Sequence, residues 1–389
     1  MRASKLSEIA TLTVGFVGTM AQHYKENGIP FLRSLNIKPF YIDNSDIKYI
    51  SDDFNRELGK SELHENDIVI VRTGIPGTCC VVPKEYDGCN CADLVIVHPD
   101  MEKVNPYYLA AYINIWGQKQ ILDNKVGAIQ QHFNVHTAEN MLVYLPEKTI
   151  QDQVASILCS VNNRIFLNSR ICAELEAMAR TLYDYWFVQF DFPDAYGRPY
   201  RTSGGEMEYC PALGREIPKG WHTAELSDLT RVVTGKEDAN FSTVDGNFKF
   251  FTCGQDTLLC DAPAFSGKAV LIAGNGDFNV KHYSGDFNAY QRTYVLIPDD
   301  EKYYAAMFIA AKKTIQSFRQ GSNGSIVKFI TKGDVENITI LIPTDDALFV
   351  RLNKILSQIE LLENENDELI KLRDWLLPIL MNGQARIEQ

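Results

Sequence analysis

The chain has 389 residues, of which 45% are hydrophobic, 11% aromatic and 23% charged, and its formal net charge is −12 at pH 7. This composition excludes a disordered protein, and the length predicts at least two domains. The acidic total argues against a protein that coats nucleic acid through its overall field, although the globular segments are closer to neutral than residues 344–389.

The N-terminal segment MRASKLSEIATLTVGFVG has no continuous apolar run, and no stretch approaches the ~18 apolar residues of a spanning helix. We therefore expect a cytoplasmic protein without a membrane segment. Nine cysteines occur without a CxxC pair, and the densest group is Cys79, Cys80, Cys89 and Cys91. We interpret them as reduced structural thiols and expect no metal, because zinc knuckles usually need CxxC-type turns.

Residues 1–146 form the first predicted unit, which is rich in strands. DIVIVRTG (67–74) is an apolar strand that ends in a Gly turn. NPYY (105–108) is one residue away from the NPPY with which amino-methyltransferases hold an extruded adenine. Because Pro106 stands at the first turn of a predicted helix, helix capping explains this motif better.

A long helix is predicted over residues 147–190. Apolar residues recur in it at spacings of three and four, from Ile150 to Tyr185, which is typical of a coiled-coil stripe. The helix runs into the aromatic segment TLYDYWFVQFDFPD (181–194), and a linker over 191–218 follows.

The second half of the chain repeats the first. GAIQQHFNVHTAENMLVYLP (127–146) aligns without gaps on GSIVKFITKGDVENITILIP (324–343), and KLSEIA (5–10) is similar to ELSDLT (225–230). We therefore predict a second strand-rich unit over 219–343. A second long helix with an apolar stripe follows over residues 344–389.

The order of these units and helices along the chain determines how the two long helices can pack. Because the second helix begins at the second unit, it can bury its stripe on the first helix only by running antiparallel to it. The predicted fold class is α+β, with two similar strand-rich units separated by an antiparallel two-helix coiled coil about 60 Å long. Asn168 and Asn366 both fall on the stripes, and we predict that they meet and fix the helix register.

No catalytic motif is complete. IAGNG (272–276) follows a strand but completes no GxGxxG, and Walker A and HExxH motifs are absent from the sequence. Two similar units on a spacer suit a bipartite target such as duplex DNA. Arg addresses guanine, Asn and Gln address adenine, and Lys and Ser hold phosphates. The candidate DNA-binding residues are Arg33, Ser34, Arg72, Thr73, Gln130, Gln131, His132, Asn134, Thr252, Asn275, Lys312, Lys313, Arg319, Gln320, Ser322, Asn323, Ser325 and Lys328.

Several segments resemble one known family. LEAMARTLYDYWFVQFDFPDAYGRPYRTSGGEMEY, with LGREIPKGW after it, is similar to the central conserved region of specificity subunits of type I restriction–modification systems. IVRTGIPGTCCVV, NPYYLAAYIN and IQQHFNV resemble the first target-recognition domain of that family, and RDWLLPILMNGQ resembles its C-terminal helix end. The second recognition domain lacks a clear equivalent of the QQHF residues.

The resemblance implies a non-catalytic subunit that recognises DNA. Each target-recognition domain, 1–146 and 219–343, would read one half of an asymmetric split sequence, and the helices would bind two methyltransferase subunits, with restriction subunits joining for cleavage. S-adenosylmethionine, ATP and magnesium would belong to those partners, and this chain would hold no cofactor. The residues assigned to the coil and to partner binding are Asn168, Leu175, Trp186, Phe187, Phe190, Asn366, Leu372 and Trp375.

Two other functions stay open at this point. A self-contained DNA adenine methyltransferase with a recognition domain would need the cofactor and NPPY motifs. A purely structural coiled-coil scaffold would retain no specific DNA when methyltransferase is present. Because the chain is acidic, we expect it to bind DNA poorly without partner subunits.

Overall fold

The protein is described by a computed structural model of residues 2–117, 120, 133–320 and 329–381, in which the side chains of Arg2, Arg319 and Gln320 are not described. It divides into two compact units. Unit 1 comprises Met1–Phe166 and Asp367–Gln389, and unit 2 comprises Leu167–Asn366. In the described part of the chain, no helix combines the length and the apolarity that crossing a membrane requires.

Unit 1 is a strand-rich body with short helices. The helices are α1 (Leu6–Ile9), α2 (Asp52–Glu57), α3 (Pro106–Tyr112) and α4 (Val135–Glu139). The strands are β1 (Arg2–Lys5), β2 (Ala10–Val14), β3 (Ile29–Leu32), β4 (Ile37–Lys38), β5 (Tyr41–Ile42), β6 (Lys48–Ile50), β7 (Ile68–Val71), β8 (Cys79–Val81), β9 (Asn90–Cys91), β10 (Leu94–Pro99) and β11 (Leu142–Leu145).

The centre of unit 1 is a four-stranded antiparallel sheet in the order β2-β10-β7-β8. All four residues of β7 are buried, because successive side chains enter different cores on the two faces. Ile68 and Ile70 belong to one core, and Val69 and Val71 belong to the other. The continuous apolar run of this strand therefore reflects a sheet that is covered on both sides.

The four clustered cysteines are part of these cores. Cys79, Cys80, Cys89 and Cys91 are buried free thiols. Burial raises the pKa of Cys89 to about 12, so this thiol stays protonated at neutral pH. The Cys79 thiol donates a hydrogen bond to the carbonyl oxygen of Ala110 at 3.3 Å. These contacts fit apolar packing residues rather than thiolate ligands.

The NPYY motif is a helix start. Pro106 is the first residue of α3, and the Asn105 side chain accepts hydrogen bonds from the backbone N–H groups of Tyr107 and Tyr108 at 2.9 and 3.2 Å. An Asn cap followed by Pro at the first turn satisfies the free donors of the helix end. Asn105 and Pro106 of this motif therefore start a helix, as predicted from the sequence.

Unit 2 contains β12 (Met207–Cys210) and β13 (Arg215–Pro218), which pair as a hairpin in the predicted linker. Its other strands are β14 (His222–Glu225), β15 (Val233–Thr234), β16 (Phe248–Phe251), β17 (Leu258–Cys260), β18 (Phe265–Ala273), β19 (Val280–Ala289), β20 (Thr293–Leu296) and β21 (Thr339–Ile342). The central sheet has six of these strands, in the order β15-β20-β18-β19-β16-β17. The helices of this strand-rich part are α5 (Leu226–Leu229), α6 (Tyr304–Gln320) and α7 (Lys332–Glu336).

The internal repeat is visible in equivalent hydrogen bonds. In unit 1, the N–H of Leu6 donates to the carbonyl of Met141 at 2.9 Å, and β1 pairs with β11. In unit 2, the N–H of Leu226 donates to the carbonyl of Ile338 at 2.9 Å, and β14 pairs with β21. One parallel strand pair also recurs, as β3 with β9 and as β16 with β19. The two halves therefore share one topology.

The first long helix spans Lys148–Tyr183 and continues into a π-helical turn at Asp184–Val188, and the second spans Ala347–Met381. In unit 1, Val154 and Leu158 share a core with Leu377 and Leu380. In unit 2, the Cys172 thiol donates to the carbonyl of Ile359 at 3.8 Å, while Asn168 contacts Asn366. Within each unit the helix segments run antiparallel, and the predicted mixed helix-and-strand fold is confirmed.

Parts of the predicted stripes are wrong, because Ile150, at the start of the first stripe, and Leu372, in the second, are both exposed. Leu372 is exposed, and its neighbour Arg373 is turned inward, where its Nη1 donates to Asn162 Oδ1 at 3.2 Å. A straight helix with 3.6 residues per turn drifts away from a strict seven-residue repeat, so the buried side rotates along its length. Leu372 therefore leaves the seam and lies on the free face of the helix.

Candidate nucleic-acid interface

In unit 1, predicted contact loops meet at one edge of the central sheet. β7 ends at Val71 and the antiparallel β10 begins at Leu94, so residues 72–74 and 91–93 are neighbours. Residues 33–36 follow β3, which pairs in parallel with β9. We call residues 33–36, 72–74 and 91–93 the loop edge of unit 1.

Asp93 is the centre of this loop edge. One carboxylate oxygen lies 3.0 Å from Arg72 Nη1, and the other accepts a hydrogen bond from Thr73 Oγ1 at 2.5 Å. The Ser34 hydroxyl donates to the backbone carbonyl of Asp93 at 3.5 Å. The backbone of Asp93 is left-handed, with φ of +53°, a conformation that Asp adopts more readily than most residues. Three predicted residues thus meet at Asp93, with Arg72 and Thr73 at its carboxylate and Ser34 at its backbone carbonyl, although the sequence did not single out this residue.

The guanidinium of Arg72 is held in a fixed direction. Besides its ion pair, its Nε donates to the carbonyl of Phe133 at 3.1 Å. A guanidinium carries five N–H donors, so this anchoring leaves donors for a guanine edge or a phosphate. Phe133 directly follows His132, so Arg72 is anchored to the chain just after the predicted QQH residues.

Other predicted residues are engaged locally. The side chain of Asn134 caps α4 and accepts from the N–H of Thr137 at 2.9 Å. Arg33 pairs with Asp46 at 2.9 Å, and hydrogen bonds from Lys48 and Arg33 lower the pKa of Asp46 to about 2. Both side chains stabilise their own loops, so we assign neither to the proposed interface.

Exposed apolar side chains stand beside the same loops. Leu35 and Ile75 are each about 70% exposed and directly follow Ser34 and Gly74. Such side chains contact the methyl group of thymine or wedge between base steps. Sequence reasoning missed them because it considered only polar residues. The available signal was a large apolar residue inside a turn-rich loop.

Unit 2 presents an equivalent edge. β18 ends at Ala273 opposite Thr293, and the N–H of Gly274 donates to the carbonyl of Arg292 at 2.9 Å. Thr252 follows β16, and its hydroxyl accepts from the N–H of Gly254 at 3.3 Å. Asn275 is half-buried in the turn after β18. We call residues 252–254, 274–276 and 291–292 the loop edge of unit 2.

Three residues at or beside the loop edge of unit 2 were not predicted. Asn279 donates from Nδ2 to the carbonyls of Cys253 and Gly254 at 2.9 and 3.0 Å, which joins two of the loops. Lys281 Nζ donates to the carbonyl of Gly254 at 2.9 Å, and burial lowers its pKa. Arg292 is exposed. Only strand pairing brings these positions together, so sequence spacing gave no signal for them.

Lys312 and Lys313 are not at a loop edge. Both lie on α6 and face the first long helix, where Lys312 Nζ pairs with Glu176 at 2.8 Å and Lys313 pairs with Asp184. The ammonium groups also lie over the rings of Phe308 and Tyr183. Since each cation already has a carboxylate partner within the unit, we withdraw both lysines from the DNA-binding set.

The remaining predicted DNA contacts lie outside the described residues or side chains. These are Gln130, Gln131, His132, Arg319, Gln320, Ser322, Asn323, Ser325 and Lys328.

The aromatic segment after the first long helix is a core element. Trp186, Phe187 and Phe190 are 4%, 2% and 1% exposed. Phe187 stacks on Phe349 with ring centroids 5.7 Å apart, and Phe190 meets Trp221 edge-on at 5.9 Å. These aromatics therefore pack against the second strand-rich body, and their assignment to partner binding is wrong, because almost no side-chain surface is left for a partner.

The other predicted helix residues differ among themselves. Leu175 is half-buried against the core of unit 2. Trp375 is 64% exposed, and Leu372 lies three residues before it on the same side of the second long helix. These two are the residues of the predicted partner-binding set that do offer free apolar surface.

Comparison with known proteins agrees with this architecture. The family described as type I restriction modification DNA specificity domain matches residues 218–371. The specificity subunit of the type I restriction enzyme EcoDI from Escherichia coli is 36% identical over 180 residues. Residues 218–371 therefore match a type I specificity domain, and the chain is similar to type I specificity subunits.

Other type I specificity subunits match more of the chain. The EcoDI alignment covers 44% of this chain and only 40% of that relative's length. The putative MjaX specificity subunit of Methanocaldococcus jannaschii is 22% identical, over 95% of this chain and 90% of its own. The crystal structure of an S subunit from M. genitalium superimposes with a TM-score of 0.60 at 13% identity, covering 97% of this chain and 95% of that one. The chain therefore shares the fold of that S subunit.

Proposed function

We propose that this chain is the DNA-recognition subunit of a type I restriction–modification complex, in which each strand-rich body reads one half of a bipartite asymmetric target. The observation that carries the proposal is the equivalence of the two loop edges. In both units the edge lies where the long antiparallel strand pair opens, after β7 and before β10 in unit 1, and after β18 and before β20 in unit 2. Each edge carries a cation and hydroxyl or amide groups suited to base edges and phosphates.

The proposed partners follow from the same assignment. Two methyltransferase subunits would bind the helices, and restriction subunits would join for cleavage. The exposed pair Leu372 and Trp375 is the docking surface that we assign to a methyltransferase subunit, because large exposed aromatic residues are enriched at such interfaces. S-adenosylmethionine, ATP and magnesium would be held by those partners, and the complex would work in the cytoplasm.

The alternative of a self-contained methyltransferase is not retained. Its strongest sequence feature, NPYY, is a helix cap, and the matched relatives are named specificity subunits. A purely structural scaffold predicts that the adenine methylation pattern is independent of this chain, and that difference can be measured.

The test is to express the chain with the methyltransferase subunits of its own system, in a host that lacks this methylation, and to map methylated adenines across the genome. We expect one bipartite asymmetric motif that appears only when the chain is present. Methylation without a defined motif, or the same motif without the chain, would contradict the proposal.

A variant pair sharpens this test. Arg72→Ala removes the anchored guanidinium, and we expect methylation to fall by about 10- to 100-fold with relaxed selection in one half of the motif. Arg56→Ala is the matched control, because Arg56 is an exposed arginine of the same unit that pairs only with its near neighbour Asp53 among the described residues. Equal methylation by the two variants would remove Arg72 from the interface.

A further inference from the structure

We propose that His64, Asp67 and His98 form a binding site for a divalent cation of the zinc class in unit 1. One ligand atom from each of these residues lies within 4.8 Å of the other two. The cluster is separate from the loop edge of unit 1. Asp67 and His98 flank the paired strands at the end where β7 starts, whereas Arg72 and Asp93 flank the opposite end.

Asp67 connects the two imidazoles. Its Oδ1 lies 2.7 Å from Nδ1 of His98, and its Oδ2 lies 3.7 Å from Nδ1 of His64. The Asp67 side chain is 6% exposed, whereas that of His64 is 61% exposed. A hydrogen bond from His98 accounts for one side of the carboxylate. That hydrogen bond does not explain why the imidazole of His64 places its Nδ1 near the other carboxylate oxygen.

Two of the three proposed ligands are fixed in direction. The backbone N–H of His64 donates to Asp67 Oδ2 at 2.8 Å, which holds the carboxylate in the turn before β7. Nε2 of His98 lies 3.2 Å from Oγ1 of Thr13 on the neighbouring strand β2. A histidine that binds a metal through one nitrogen usually donates a hydrogen bond from the other, so Thr13 is in the right place to accept it.

The distances are compatible with zinc after a small movement. Zinc takes nitrogen and carboxylate ligands at about 2.0–2.2 Å in tetrahedral geometry, so its ligand atoms are roughly 3.4 Å apart. The separations of 2.7 and 3.7 Å lie on either side of that value. Because the side chain of His64 is exposed, it can move towards the carboxylate without disturbing the core. Solvent reaches the cluster past the same side chain.

The ligand set also selects the class of metal. Two neutral imidazoles and one carboxylate suit zinc, whereas magnesium and calcium prefer oxygen ligands. Three protein ligands leave a fourth position for water. A bound ion would tie the turn at His64 to the end of β10. We therefore expect it to stabilise unit 1 without taking part in base recognition.

The test uses the full chain, treated with a chelator and then titrated with Zn²⁺ in a calorimeter and, in a separate sample, with Co²⁺ in a spectrophotometer. We expect one tight equivalent of Zn²⁺, a visible tetrahedral Co²⁺ absorption band and a higher melting temperature with Zn²⁺. His64→Ala should weaken Zn²⁺ binding by at least about 10-fold and abolish the Co²⁺ band.

The matched control is His136→Ala, which removes another exposed histidine of unit 1 with a carboxylate nearby, that of Glu139 at 3.7 Å. His136→Ala should bind both metals like the unaltered chain. Because His64 is exposed, its replacement should leave the melting temperature of the metal-free chain unchanged. Zn²⁺ affinity that is equal in His64→Ala and the unaltered chain, or the lack of a tight equivalent in the unaltered chain, would overturn the proposal.

Discussion

Asn168 and Asn366 meet across the two long helices inside unit 2, where Asn168 Nδ2 donates to Asn366 Oδ1 at 3.0 Å. Asn168 is fully buried, and Asn366 Nδ2 donates in turn to the hydroxyl of Ser169 at 3.1 Å. An apolar residue at position 168 would pack more favourably but could slide past its neighbours. The hydrogen bond between the two amides can form in only one alignment of the helices, and we propose that it fixes that alignment.

We expect single and double replacement of these asparagines to change the free energy of unfolding differently. Asn168→Leu should lower the free energy of unfolding by about 1–3 kcal/mol, because it removes the amide that donates to Asn366 Oδ1. The double variant Asn168→Leu, Asn366→Leu should be at least as stable as the original chain, because two apolar side chains then meet. Urea unfolding of the full chains measures both values. A double variant that is less stable than each single variant would argue against a paired role.

The aromatic segment predicts a large loss of stability. Phe187 is buried against Phe349 and Trp221, so Phe187→Ala should cost about 3–5 kcal/mol in the unfolding of unit 2. Its neighbour Val188 is exposed, and Val188→Ala should change stability by less than about 0.5 kcal/mol. Thermal unfolding of the two variants gives the comparison. Equal melting temperatures would show that the segment is not a core element.

We expect replacement of Asp93 to change both the DNA affinity of the complex and the dependence of that affinity on salt. Its carboxylate neutralises Arg72, so Asp93→Asn should increase nonspecific DNA binding by the complex and steepen the dependence of affinity on salt. Selection within one half-site should weaken at the same time. Asp53→Asn, at an exposed position of the same unit, is the control. Binding titrations at several salt concentrations distinguish the two variants, and identical salt slopes would exclude this role for Asp93.

We expect replacement of Trp375 to weaken assembly with the methyltransferase subunit and to leave folding of the chain unchanged. Because the side chain is 64% exposed, Trp375→Ala should leave the melting temperature of the chain unchanged. We expect it to weaken binding to the methyltransferase subunit by at least about 30-fold, the cost of losing a central aromatic anchor. Analytical ultracentrifugation of the mixed subunits measures this effect. Val350→Ala, at an exposed apolar position on the same helix, serves as the control.

Periodic parts of this fold could be predicted from the sequence. The long helices, their antiparallel pairing and the contact of Asn168 with Asn366 follow from apolar spacing, because each depends on local helix geometry and chain connectivity. The matching hydrogen bonds of Leu6 and Leu226 follow from the aligned repeat. These features recur, so a single sequence contains enough information to place them.

The residues of the two loop edges were harder to predict. Lys312 and Lys313 fit a DNA-binding pattern, yet tertiary packing brings them beside Glu176 and Asp184. Asp93 and Arg292 lacked any motif and gained their positions from strand pairing. The direction of a side chain at a loop depends on contacts distant in sequence, and neither spacing nor composition contains that information.

The most direct test of the central claim is to replace residues 219–343 with the corresponding segment of a type I specificity subunit, and to map methylated adenines with the same methyltransferase subunits. The account predicts that one half of the bipartite motif changes, while the other half and its adenine stay as they were. A motif that changes in both halves, or one that does not change at all, would contradict the claim that each strand-rich body reads its own half of the target.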